Sequence, residues 1–133
     1  MEMSSIAVAE GCLAGAHDGT MSFPQVVGAL AGAGFESYAV DFRRNTTIWY
    51  RPDGESLLRD TPLTPGDVAA AFDAAGVAAA VRAAQAGGPD YSYQGFCDSV
   101  RACGCAGYLV SFPGRRVVYH GRTAETHVEH FPS

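Results

Sequence analysis

The chain resembles itself at an offset of 70 residues, and this repeat constrains its fold more than any other feature. SFPQVVGALAGAGFESYAVDF, from Ser22, aligns with SYQGFCDSVRACGCAGYLVSF, from Ser92. Phe23 falls on Tyr93, Val26 on Phe96, Leu30 on Val100, Gly34 on Gly104, Tyr38 on Tyr108, Val40 on Val110 and Phe42 on Phe112. After a one-residue slip in the next turn, Ile48 and Tyr50 fall on Val117 and Tyr119. Core positions and punctuation coincide, which points to two copies of one supersecondary unit, about 1–65 and 66–133, within a single domain.

Each unit has the same local chemistry. Ser22 and Ser92 stand where a helix N-cap satisfies an orphan amide, and Phe23, Val26, Val27 and Leu30 follow on one helical face. Gly34 and Gly104 supply the left-handed residue that ends a helix. Tyr38 to Phe42 and Tyr108 to Phe112 then alternate with period two, as strands with one buried face do. Both strands enter hairpins: one turns around Arg44-Asn45 and returns through Thr47 to Arg51, the other through Pro113-Gly114, in type II order, into Arg115 to Tyr119. A helix precedes each unit, one capped by Ser4 or Ser5, the other running from Asp73 to Ala86 and stopped by Gly87-Gly88-Pro89. Third strands are expected over Glu55 to Arg59 and Glu125 to Phe131. The fold class is α+β, about ααβββ twice, an antiparallel sheet with helices on one face.

Composition narrows the function. The chain is 47% hydrophobic and 17% charged, enough apolar content for a core, and its net charge is −5. All 9 basic residues are arginine, which removes every mechanism that needs an ε-amine, and the acidic balance argues against nucleic acid and anionic membranes as partners. Met1 to Gly15 carries Glu2 and Glu10 without a basic leader, so a cytoplasmic location with reduced thiols is expected.

The FPQVV helix, GFESYAVDF, AGYLVSF with GRRVVYHGR and above all the ending ETHVEHFP resemble the domain-of-unknown-function family that includes the prophage protein YbcV. The resemblance runs along nearly the whole chain. It implies a small cytoplasmic bacterial protein and brings no reaction, cofactor or catalytic residue with it.

Cys12, Cys97, Cys103 and Cys105 beside three late histidines suggest zinc, but Cys97, Cys103 and Cys105 fall where Val27, Ala33 and Phe35 stand in the first unit. No CxxC pair is present, so the thiols read as core residues and no metal or cofactor is implied. Arg43, Arg44, Arg115 and Arg116 gather at equivalent hairpin turns, as solvated tips or an anion site, while Arg82 and Arg101 read as solvent-facing helix residues.

The segment His120 to His130 offers more chemistry. In a strand, Glu125, His127, Glu129 and Phe131 share one face, which makes His127 and Glu129 neighbours able to move a proton near neutral pH. Asp41 is expected on the same uncovered face, with Trp49, Tyr50, Tyr119 and His120 around a ligand. A site of two histidines and one carboxylate, His120, His127 and Glu129, is a further arrangement of these side chains. The leading expectation is a small-molecule-binding protein, as an enzyme a cofactor-free isomerase, cyclase or hydrolase with His127, Glu129 and Asp41 as its catalytic groups. The alternative is a non-catalytic interaction module or homodimer, which a flat apolar patch favours over a polar cleft.

Overall fold

The computed structural model describes residues 1–132. The elements run α1 (Met3–Asp18), α2 (Phe23–Gly32), β1 (Ser37–Asp41), β2 (Thr46–Tyr50), β3 (Ser56–Asp60), α3 (Ala74–Ala86), α4 (Tyr93–Ala102), β4 (Cys105–Ser111), β5 (Arg116–Gly121) and β6 (Thr126–His130). The order is α+β, ααβββ twice. Ser22 and Gln25 form a reciprocal capping box on α2, while Ser92 and Asp73 accept the amides of Gly95 and Gly76 to cap α4 and α3. Helix α1 differs from expectation: it begins at Met3 behind Glu2, without a side-chain cap, and Ser4 and Ser5 lie inside it.

All six strands form one antiparallel sheet in the order β3-β2-β1-β4-β5-β6, so the two units join through β1 and β4. Their register pairs Tyr38 with Val110, Val40 with Tyr108, and Ala39 with Leu109 between them. Residues 70 apart therefore exchange places about the Ala39–Leu109 pair. The hairpins repeat too: Tyr38 pairs with Trp49 and Tyr108 with Tyr119, Trp49 with Leu57 and Tyr119 with His127.

These registers correct the slip read in the sequence. The offset stays at 70 through the turn, placing Tyr119 opposite Tyr108 as Trp49 lies opposite Tyr38, and Tyr50 corresponds to His120. The physical reason lies in the loops, where the left-handed residue is Asn45 (φ 59°) in one and Arg115 (φ 51°) in the other. Gly114 is not left-handed, so Pro113-Gly114 is not a type II turn. Asp41 Oδ1 accepts the amides of Arg43 and Arg44, and Ser111 Oγ accepts that of Gly114, so equivalent side chains close both turns.

The helices cover one face of the sheet. Leu30, Val77, Val100 and Val110 are fully buried, and Trp49 is 2% exposed; each such side chain removed from water contributes about 1.5–3 kcal/mol. Tyr38, Tyr108 and Tyr119 are buried on this side, where the hydroxyls of Tyr93 and Tyr108 hydrogen-bond one another. The four cysteines are free thiols, and burial pushes Cys97 up to about 12 and Cys105 to about 11. Arg101, expected in solvent, is buried: its guanidinium bonds Asp98 and the Thr64 carbonyl and lies over Phe42. Arg82 is exposed, as expected.

Candidate functional site

Period two does bring His127 and Glu129 together: His127 Nε2 lies 2.9 Å from Glu129 Oε2. Their face, however, is the helix-covered one and not the open one, because His127 pairs directly with buried Tyr119 and Glu129 binds Arg82 of α3. The Arg82 guanidinium, with His127 behind it, holds the Glu129 carboxyl below its ordinary range against the opposing effect of burial. In the first unit the corresponding positions are Leu57 and Arg59, and Arg59 Nε lies 3.0 Å from Glu10 of α1. Each edge strand is thus tied to the first helix of its own unit by an ion pair, with the charges reversed between units. Glu129 acts as one half of a strand-to-helix tie.

The other expected site residues divide between the two sides of the sheet. Trp49 and Tyr119 are buried under the helices. Asp41, Tyr50 and His120 lie on the open face, where His120 packs over Gly107 and Asp41 closes its turn. Neighbouring positions of a strand point to opposite faces, so Asp41 cannot join His127 and Glu129. The same alternation splits the arrangement of His120, His127 and Glu129, since His120 pairs with Thr126 and His127 with Tyr119. The turn arginines do not converge either: antiparallel pairing of β1 with β4 sends Arg43 and Arg44 to one end of the sheet and Arg115 to the other. A concave surface of about 510 Å³ is lined by Met1, Glu2, Ser5, Ala33, Arg51, Asp53 and Glu55, none of them an expected site residue.

The open face carries the feature that the sequence reading missed. Leu58, Ile48, Ala39, Leu109, Val118 and Val128 are direct partners from strand to strand and form one apolar row across the whole sheet. Leu58 is 46% exposed, Leu109 41% and Val128 37%. The rows beside it are mainly polar: Ser56, Tyr50, Ser37, Ser111, Arg116 and His130 on one side, Asp60, Thr46, Asp41, Gly107, His120 and Thr126 on the other. Acidic and basic side chains divide at the β1–β4 seam. The first unit contributes Asp41 and Asp60 to this face, and the second contributes Arg116, His120 and His130. The signal was present in Leu57-Leu58 and in Val117-Val118, where adjacent apolar residues leave one facing out whichever way the strand turns.

Compared with protein-family models and with curated proteins, the chain matches none. Among the described residues, no helix is long and apolar enough to cross a membrane.

Proposed function

We propose that this chain is a non-catalytic protein-interaction module whose docking surface is the open face of the sheet. One observation carries this reading: the apolar row from Leu58 to Val128, in direct register over six strands and uncovered. An antiparallel sheet with one wet face ordinarily alternates apolar-in with polar-out, and a contiguous apolar patch on such a face marks a contact surface. The acid-base reading has less behind it, because its groups lie on opposite sides of the sheet and Glu129 is engaged by Arg82.

The test uses bis-ANS, a dye that binds exposed apolar surface, on dilute protein. Leu109→Arg should abolish the dye fluorescence while leaving the melting temperature close to that of the parent, since exposed substitutions usually change stability by less than about 0.5 kcal/mol. Equal dye binding by the parent and the variant would contradict the reading.

A further inference from the structure

Resting on the reading of the open face as a docking surface, we propose that its partner is a second copy of this chain. The first unit of each copy covers the second unit of the other, about a twofold axis parallel to β1 and β4.

Charge argues for this occupant. Among the described residues, the open face of the first unit carries the acids Asp41 and Asp60 and no cation, and that of the second unit carries Arg116, His120 and His130 and no acid. Arg43 and Arg44 lie in the turn beyond the strand grid. A twofold axis along the seam sets the acidic half of one face on the basic half of the other, twice. In the row Asp60, Thr46, Asp41, Gly107, His120, Thr126, this brings the partner copy's imidazole at position 120 over Thr46, between Asp41 and Asp60. In the opposite row Arg116 lands on the exposed ring of Tyr50, a cation-on-aromatic contact.

Shape points the same way. The operation sets Leu58 against Val128, Ile48 against Val118 and Ala39 against Leu109. The last of these fits a projecting side chain, 41% exposed, into the hollow above an alanine, and the symmetry makes that fit twice. All the charges stay in the outer rows, so closure buries none at the centre, the usual anatomy of an apolar core with a polar rim. Six strands at about 4.8 Å and five residues at about 3.4 Å give each copy a footprint of about 500 Å², so the pair buries roughly the 1,000 Å² that a specific interface needs. Aligned packing of sheet on sheet is one of the two common modes, and it alone uses this full footprint.

Sedimentation velocity over the micromolar to high-micromolar range, on the whole chain, tests the proposal. The parent should dimerise, and Leu109→Arg should be a monomer. Ala39→Leu fills the hollow and should weaken dimerisation more than about tenfold, and the double variant Ala39→Leu with Leu109→Ala, which exchanges projection and hollow, should restore it to within a few-fold of the parent. His120→Asp, placing an acid between two aspartates, should weaken it by a similar factor. Circular dichroism and melting confirm that each variant is folded, and a variant that is not is replaced at the same position by Ala39→Met or Leu109→Gln. A dimer lost in Leu109→Arg but not restored by the double exchange would overturn the unit-on-unit packing and leave the docking surface standing. A parent that stays monomeric yet binds bis-ANS through Leu109 would overturn the second copy as partner and leave the surface to a different protein. Dimerisation and dye binding that both ignore Leu109→Arg would overturn both.

Discussion

Gly34 and Gly104 occupy the same position in the two units, yet replacing them by alanine should cost different amounts. Both are left-handed, with φ of 92° and 87°. A Cβ in that conformation costs about 1–2 kcal/mol before any contact is counted. On Gly34 the new methyl would sit 2.7 Å from Arg51 Nη2, the far end of a side chain that can swing away. Doing so gives up the bond from Arg51 Nη1 to the Ala33 carbonyl, 2.9 Å, for about 1 kcal/mol more. On Gly104 the methyl would strike the Ala71 carbonyl and lie 2.9 Å from Phe72 Cα. That main chain is held by the Ala69 amide on the Arg101 carbonyl, 3.0 Å, and the Asp73 amide on the Cys103 carbonyl, 2.8 Å. Backbone has to move, and overpacking of this kind costs about 1–3 kcal/mol or more. Gly34→Ala should therefore cost about 2–3 kcal/mol and Gly104→Ala more than that, within a range of about 2–5 kcal/mol that reaches the upper end of single substitutions. Urea unfolding followed by circular dichroism reads both values, and for a chain of this size each kcal/mol is also about 3–5 °C in melting temperature. Equal costs, or Gly34→Ala costing more, would refute the assignment of flexible side chain at one site and fixed backbone at the other.

Asp98 and Glu129 are held below their ordinary carboxylate range by Arg101 and Arg82, so each contributes stability that is present at neutral pH and lost as the pH falls through its lowered value. Asp98→Asn with Glu129→Gln should flatten the acid limb of a stability-against-pH curve measured in urea, and an unchanged limb would deny these ties their role. Cys12, Cys97 and Cys105 are at most 3% exposed and Cys103 is partly exposed, so an aromatic disulfide reagent should titrate one thiol in the native protein and the other three only on unfolding. His127→Leu copies Leu57 of the first unit and should change stability by less than about 1 kcal/mol in thermal melts, because the lost bond to Glu129 is offset by added apolar burial. A loss well above that would make His127 more than one half of a local pair.

Much of the fold was legible because its signals are local. Serine and aspartate caps at Ser22, Asp73 and Ser92, left-handed Gly34 and Gly104, and the alternation around Tyr38 and Tyr108 each act within a few residues. The slip at Ile48 and Tyr50 arose because Tyr50 and Tyr119 look alike, whereas the loops hold Tyr119 in step with Trp49. The burial of Arg101 depends on the Thr64 carbonyl crossing over it from a distant segment, which no periodicity encodes. The pairing of His127 with Glu129 was correct, but their face was not: period two tells which residues share a face and leaves open which face the helices cover. The apolar row went unread for a related reason, since its members lie on six different strands and become neighbours only through the β1–β4 pairing.

The most direct measurement of the central claim, that the open face is a contact surface closed by a second copy of this chain, is a dilution series in methyl-labelled protein followed by NMR. Methyl resonances of Ile48, Leu58, Leu109, Val118 and Val128 should move together as the concentration falls. Those of Val26, Leu30, Val81 and Val100, on the buried faces of the helices, should stay fixed. Open-face methyls that ignore concentration, or shifts that map instead to the helices or to the ties at Arg59 and Glu129, would contradict the account.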